Sequence, residues 1–114
     1  MDNKQVVEQC LDGFRTADHE LILSCLHEDV EWTVPGAFHV KGKEAFDKEI
    51  EHTDFIGPPD IHIARLVEEN NIVVAEGTVR TKKKTGESMT ILFCDVFVMQ
   101  DQKIKQLTSY LVAQ

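Results

Sequence analysis

The second half of the chain consists of long segments in which apolar residues alternate with polar or small ones. Short turns containing Asn, Asp or Gly separate these segments, which span residues 60–69, 72–82, 87–99 and 103–112. A period of two and turns of this kind are typical of antiparallel strands joined by hairpins. The sequence therefore predicts a four-stranded antiparallel meander, which leaves only the first half of the chain for helices.

The first half begins with apolar residues at the three- and four-residue spacing of a helix that buries one face. These residues are Val6, Val7, Cys10, Leu11 and Phe14. Asp18 is placed to cap a second, shorter helix that carries the apolar residues of 21–26. A third, surface helix is predicted over residues 43–50, where Phe46 and Ile50 lie four apart.

One further strand is predicted between the second and third helices. Val30, Trp32 and Val34 alternate with polar residues until Pro35-Gly36, a turn sequence. We expect Trp32 to face inward. Three helices and long strands predict an α+β fold in which the helices cover one side of a bent, mainly antiparallel sheet. With 114 residues, the chain is predicted to form a single domain over residues 1–114 that encloses one modest pocket.

Charge and residue usage argue against several classes of partner. Twenty acidic residues against twelve basic ones give a net charge of −8, which repels nucleic acid and anionic membranes, so neither is expected as a partner. No window approaches the roughly 18 apolar residues of a membrane span, and a cytoplasmic location is expected.

Cys10, Cys25 and Cys94 are widely spaced and are predicted to be buried free thiols. No metal site or other cofactor is expected, because the histidines lack metal-binding spacing.

Asp95 does not fit the strand in which it lies. Alternation places it on the same face as Met89, Ile91, Phe93, Phe97 and Met99. One interpretation is a structural carboxylate paired with an arginine or a backbone amide. The other is a carboxylate in a pocket, because ionisable groups on apolar faces mark functional sites. Without a cationic partner, burial would raise the pKa of Asp95 and let it exchange a proton near neutral pH.

The opposite face of the same strand is also apolar, with Leu92, Cys94, Val96 and Val98. A strand buried on one side only would not need two apolar faces. We therefore expect one face to meet the helices and the other to meet a second copy of the chain in a homodimer.

The order of the predicted elements and several short stretches of the sequence resemble the nuclear transport factor 2-like superfamily. This superfamily includes SnoaL-like polyketide cyclases, ketosteroid isomerases and limonene epoxide hydrolases. The stretches are residues 6–14 and 18–26, Asp29-Val30-Glu31-Trp32, residues 42–46, and Asp95-Val96-Phe97 followed by Lys103-Ile104 and Tyr110. The resemblance implies a cone-shaped α+β barrel (cystatin-like), with three helices on a strongly curved sheet, a pocket at the open end and usually a homodimer.

The resemblance also assigns candidate site residues. Ketosteroid isomerases use a helix tyrosine, a carboxylate base on the first strand and a protonated aspartate on a later strand. The aspartate position falls on Asp95, the tyrosine position on Cys10, and the base position on Thr33 or Val34. Epoxide hydrolases pair an arginine with an aspartate, and Arg80 lacks that carboxylate two residues later.

The resulting hypothesis is a pocket that binds an apolar small molecule, with Asp95 as acid/base for the isomerisation or cyclisation of a carbonyl compound. His39 and Tyr110 are candidate second polar groups. The alternative interpretations are that His39 is an exposed loop residue and that Tyr110 ends a core ring at the surface. The residues predicted to line the pocket are Phe14, Cys10, Trp32, Val34, Phe93 and Phe97. The alternative is a non-catalytic ligand-binding or dimerisation module of the same fold.

Overall fold

Three helices and six strands make up the chain, which a computed structural model describes over residues 1–114. In chain order they are α1 (Asn3–Thr16), α2 (His19–Ser24), β1 (Leu26–Val34), β2 (Phe38–Lys41), α3 (Lys43–Lys48), β3 (Phe55–Glu69), β4 (Ile72–Lys83), β5 (Ser88–Gln100) and β6 (Lys103–Ala113). The predicted α+β class, three helices and C-terminal meander are confirmed. Strand β2 is not predicted from the sequence, and β3 begins at Phe55 instead of near residue 60.

All six strands belong to one sheet, in the order β2-β1-β6-β5-β4-β3. Every neighbouring pair is antiparallel except β1 and β6, which run parallel. The register shifts at several points, for example between Ile63 and Arg65 of β3 and between Val98 and Met99 of β5. Each shift marks extra residues in one strand of the pair. Such bulges bend the strands and increase their twist, so the sheet curves around the helices.

The first two helices are set by their capping residues and by one glycine. The Asp2 side chain accepts a hydrogen bond from the Gln5 amide, and the Gln5 side chain accepts one from the Asp2 amide. Asp18 caps α2 as predicted, accepting from the Leu21 amide. A Cβ atom at Gly13 would lie 2.5 Å from Cγ1 of Ile22, so the glycine lets α1 and α2 pack closely. No helix combines the length and the apolar character needed to cross a bilayer.

The hydrophobic core lies between the helices and the concave face of the sheet. Its completely buried members include Val7 and Cys10 from α1, Ile22 from α2, and Phe97 and Ile104 from the sheet. Phe46 is also completely buried, so α3 inserts an aromatic side chain into the core and is more than the surface helix that its charged sequence suggests.

His19 links α2 to α3 and to the segment that follows α3, through both nitrogens of its ring. Nδ1 lies 2.6 Å from Oδ1 of Asp47, and Nε2 lies 2.6 Å from Oε2 of Glu51. Hydrogen bonds from the imidazolium to Asp47 and Glu51 raise the pKa of His19 above its ordinary value. Only the protonated ring can donate to both carboxylates at once, so the link is complete only when His19 is charged.

We expect His19→Asn to lower the free energy of unfolding in acid more than in alkali. Because the pKa of His19 is raised on folding, its contribution is fully present below the unfolded-state pKa near 6.5 and disappears as pH rises through the folded-state pKa. Partly exposed pairs of this kind are worth up to about 1 kcal/mol each. Urea unfolding at pH 6 and pH 9 measures the difference. His62→Asn, on the exposed outer side of β3, is the control, and an equal loss at both pH values would contradict the prediction.

Candidate functional site

A cavity of about 290 Å³ opens between the helices and the concave face of the sheet. Twenty-two residues line it, and 14 of them are hydrophobic. The lining residues at its inner end, among them Trp32, Phe97, Leu107 and Ser109, are buried. Small-molecule sites typically have this character, an apolar wall with a few polar groups.

Asp95 and Ser109 form the polar part of the inner end, which we call the floor of the cavity. They lie directly opposite each other in the register of β5 and β6, and both line the cavity. The indole Nε1 of Trp32 donates a hydrogen bond of 3.1 Å to Oγ of Ser109. Strand β1 brings Trp32 to this point because it pairs with β6 on the other side, with Trp32 opposite Leu107.

The environment of Asp95 sets its proton affinity close to neutral pH. Burial raises the pKa of Asp95 from its ordinary 3.8 to about 7, and the nearby Ser109 hydroxyl lowers that pKa in part. Asp95 keeps some accessible surface because it faces the cavity, but the surrounding protein atoms remove most of its hydration. None of the ion pairs of the structure includes Asp95. The pairing with an arginine considered from the sequence is therefore wrong.

Aromatic rings fix the orientation of the Trp32 indole. The ring of Phe46 stacks on it with centroids 4.4 Å apart, and the rings of Phe14 and Phe38 meet it edge-on at 5.8 and 5.1 Å. Contacts of this geometry stabilise a pair by about 0.5–1.5 kcal/mol beyond burial alone. The indole N–H is thus held toward Ser109 by packing from three directions.

The outer end of the cavity is formed by the segment after α3 and the start of β3. Glu51, His52, Phe55 and Pro58 line it, and the His52 ring lies 5.5 Å from the ring of Phe55. The sequence does not single out these residues, because residues 49–54 have no apolar period and Pro58-Pro59 reads as a turn. No three His, Cys, Asp or Glu side chains are grouped so that they could hold a metal ion.

The structure brings most of the sequence-predicted residues together. Those that line the cavity are Asp95, Phe14, Trp32, Val34, Phe93 and Phe97. Cys10, His39 and Tyr110 do not line it, and each departs from the prediction for a different reason.

Cys10 lies in the core and not on the cavity wall. It is completely buried, and burial raises the pKa of its thiol, as do the nearby Cys25 and Asp95. Cys25 is buried as predicted, whereas Cys94 is only partly buried, because it points to the outer face of β5 opposite Tyr110. All three thiols have a raised pKa, with burial as the largest cause, so none is activated as a thiolate.

His39 lies on strand β2 instead of in a loop, and it is exposed on the outer side. Nδ1 of its ring is 3.1 Å from Oγ1 of Thr33, and Nε2 is 3.5 Å from Oε1 of Glu31. Because side chains alternate along a strand, Phe38 and Val40 turn toward the core and His39 turns away from it.

Tyr110 points outward and is 52% exposed. Strict alternation from the buried Ile104 would place Tyr110 on the inner face, but Met99 pairs with Ile104 while Val98 pairs with Gln106, which leaves Lys105 as an extra residue. One extra residue moves every later side chain to the other face. Ser109 therefore takes the position beside Asp95 that the sequence left open to Tyr110. The flanking Leu107 and Leu111, which also line the cavity, are the signal that could have identified it.

Comparison with known proteins places the chain in a family. Residues 7–107 match the family model of the SnoaL-like domain. The chain belongs to the SnoaL-like domain family. A search of curated proteins found no significant match.

Solved structures show that this SnoaL-like domain has the nuclear transport factor 2-like fold. A nuclear transport factor 2-like protein of unknown function from Burkholderia pseudomallei is 22% identical with a TM-score of 0.89, covering 98% of this chain and 92% of its own. An LEH-like epoxide hydrolase from M. tuberculosis is 17% identical with a TM-score of 0.84, covering 96% and 82%. TerC, co-crystallised with polyporic acid, is 25% identical with a TM-score of 0.87, covering 98% and 91%. The resemblance to this superfamily is confirmed.

Proposed function

We propose that the cavity binds an apolar carbonyl compound and that Asp95 transfers a proton to and from the carbon next to the carbonyl group. The observation that carries this proposal is a carboxyl group without a charged partner on the floor of an apolar cavity, where burial raises the pKa of Asp95 to about 7. Near neutral pH such a group is present in both forms, so the same side chain can accept a proton and return it. The proposal requires no cofactor.

The proposed step is a balanced proton transfer. Ionised Asp95 takes a proton from the α-carbon, the electrons of the broken C–H bond form the C=C bond of an enolate, and the carbonyl oxygen takes the negative charge. Return of the proton to the same or a conjugated carbon regenerates the carboxylate and completes an exchange or an isomerisation. Positioned acid/base groups contribute roughly 10²–10⁴-fold to such reactions.

A bicyclic ketone, 2-tetralone, provides a direct test of this step. Trp32 is the single tryptophan of the chain and lines the cavity, so its fluorescence reports binding. Exchange of the α-protons in D₂O, followed by NMR, reports proton transfer. We expect the wild-type protein to accelerate exchange by about 10²-fold or more, with a rate that rises through pH 7 as Asp95 ionises.

Asp95→Asn keeps the shape of the side chain but cannot take the proton. It should retain binding of 2-tetralone within about tenfold and lose the accelerated exchange. Asp101→Asn, the same change in the exposed turn between β5 and β6, is the matched control and should behave as wild type. Wild-type exchange by Asp95→Asn would contradict the proposed role of Asp95.

A second candidate function is ligand binding without turnover. It is favoured by the side chains at the other two ketosteroid isomerase positions: Cys10 is buried in the core, and neither Thr33 nor Val34 carries a carboxylate. The co-crystallisation of the similar TerC with polyporic acid supports small-molecule binding by this fold in general. Quenching of Trp32 by 2-tetralone without any accelerated exchange would select this second function.

We also propose that the outer face of the sheet pairs with a second copy of the chain. Leu92 and Val112 are opposite each other in the register of β5 and β6, and they are 42% and 59% exposed. Tyr110 lies beside them on the same face. Together with the partly buried residues of β5, they form an apolar patch that water would otherwise contact.

Sedimentation velocity at micromolar concentration should therefore show a dimer. Leu92→Glu places like charges across a symmetric interface and should shift the protein toward monomer. Val67→Glu, on an exposed apolar residue of the edge strand β3, is the control and should leave the dimer intact. A stable wild-type monomer would contradict the proposed pairing.

A further inference from the structure

Ser109 is the single polar residue among the 22 buried residues of the chain. It is 4% exposed, and its hydroxyl lies between two polar side chains from the neighbouring strands. On the β1 side is the Trp32 indole, whose Nε1 is 3.1 Å from Oγ of Ser109, and on the β5 side is Asp95. Burying a hydroxyl group costs free energy unless the group is hydrogen-bonded, so Ser109 requires polar partners at this position.

The direction of the first hydrogen bond is fixed by chemistry. An indole N–H can only donate, so Oγ of Ser109 must be the acceptor. The hydroxyl hydrogen of Ser109 is not used in that bond and remains available to a second acceptor. Directly opposite residues of antiparallel strands have Cβ atoms about 4.5–5.5 Å apart, which brings a carboxylate at position 95 within reach of that hydrogen.

We propose that Ser109 is a positioning residue for Asp95: the Trp32 N–H holds the hydroxyl oxygen, and the hydroxyl donates its hydrogen to the Asp95 carboxylate. One carboxylate oxygen is then occupied and oriented, and the other is left to face the ligand. The inference rests on the proposed role of Asp95 and adds the two residues that orient it. The hydrogen bond from the Ser109 hydroxyl is also strengthened because its oxygen accepts from the Trp32 N–H, and neighbouring hydrogen bonds polarise one another.

The arrangement favours the ionised form of Asp95, because a carboxylate accepts from a hydroxyl more strongly than a neutral carboxyl group does. Burial acts in the opposite direction and favours the neutral form. The hydroxyl therefore moderates the effect of burial and keeps the acid usable as a base near neutral pH. Without it, Asp95 would remain protonated to a higher pH.

The test is the titration of Asp95 in the full chain, followed by ¹³C NMR of its side-chain carboxyl carbon and assigned by comparison with Asp95→Asn. Ser109→Ala should raise the titration midpoint by about one pH unit. Ser109→Thr, which keeps the hydroxyl, should restore the wild-type midpoint. Thr108→Ala, which removes a hydroxyl from the neighbouring position on β6, is the matched control and should not change it.

Trp32→Phe keeps an aromatic ring but removes the N–H. It should raise the midpoint by a smaller amount, and this shift should vanish when it is introduced into Ser109→Ala, because the indole acts through the hydroxyl. Circular dichroism checks that each variant is folded. An equal effect of Trp32→Phe with and without Ser109 would overturn the linkage between the two residues.

An unchanged midpoint in Ser109→Ala would overturn the inference as a whole, whatever 2-tetralone shows. If the midpoint shifts as expected and wild-type protein still fails to accelerate exchange, then the positioning stands and the proposed proton transfer fails. The rate of exchange provides a further readout, since its pH profile in Ser109→Ala should move with the titration midpoint.

Discussion

Asp95→Asn is expected to make the protein more stable than wild type above pH 7, by about 4 kcal/mol. This value follows from the difference between the ordinary pKa of 3.8 and the folded-state pKa of about 7, at roughly 1.4 kcal/mol per pH unit. In the folded chain the Asp95 carboxylate is buried in an apolar cavity, which disfavours its charge. In the unfolded chain the same carboxylate is exposed to water. Asparagine is neutral in both states and avoids that cost.

The sign of the pH dependence follows from proton binding. Below about pH 4, Asp95 is protonated in both the folded and the unfolded chain and adds no pH dependence. Between about pH 4 and 7 the folded chain holds the proton more tightly than the unfolded chain, so its stability falls as pH rises. Above about pH 7 the carboxyl group is ionised in both states and the full cost remains.

Urea unfolding of wild type, Asp95→Asn and Asp101→Asn at pH 4, 6 and 8 measures this effect. The stability curves of wild type and Asp95→Asn should separate as pH rises, and Asp101→Asn should follow wild type. Functional sites often lower the stability of the folded state in this way, because activity requires a group in an environment that is unfavourable for folding. Strong destabilisation of Asp95→Asn at pH 8 would show instead that the carboxylate has a charged partner.

Gly77→Ala is expected to lower the free energy of unfolding by at least about 3 kcal/mol, as severe overpacking does. A Cβ atom at this position would lie 1.9 Å from the carbonyl oxygen of His62 and 2.9 Å from its carbonyl carbon. Both are backbone atoms, so no side chain can move aside to make room. Strand β3 has an extra residue here, Ala64, because Ile63 pairs with Gly77 while Arg65 pairs with Glu76. The bulge brings the two backbones together, and only glycine fits between them.

The effect of Gly77→Ala appears in the urea midpoint or, if the loss exceeds the stability of the protein, in the loss of folded protein on expression. Thr78→Ala, one residue further along β4, is the control and should change stability by about 0.5 kcal/mol or less. Because β3 supplies Pro58 and Ile61 to the cavity, a displaced β3 should also weaken the binding of 2-tetralone. A stable, binding-competent Gly77→Ala would show that β3 can move away from β4 without cost.

The sequence alone predicts the helices and long strands because their signals are local. The period of α1, the cap at Asp18 and the short turns between the last four strands each act within a few residues. The position of Asp95 is predictable for the same reason: alternation along β5 holds without interruption from Ile91 to Phe97, so the carboxylate must share the inner face.

The remainder of the site depends on contacts between segments that are distant in the chain. An extra residue at Lys105 decides that Ser109, and not Tyr110, faces Asp95. The only trace of this bulge in the sequence of β6 is that the apolar period moves from Ile104 to Leu107 and Leu111. The parallel pairing of β1 with β6 brings Trp32 to Ser109 across 77 residues. Alternation determines which residues share a face only until the register shifts, and register is set by how the strands pack together. The sequence therefore determined that the Asp95 carboxyl group lies on the inner face of the sheet, and only the tertiary structure decided which side chains surround it.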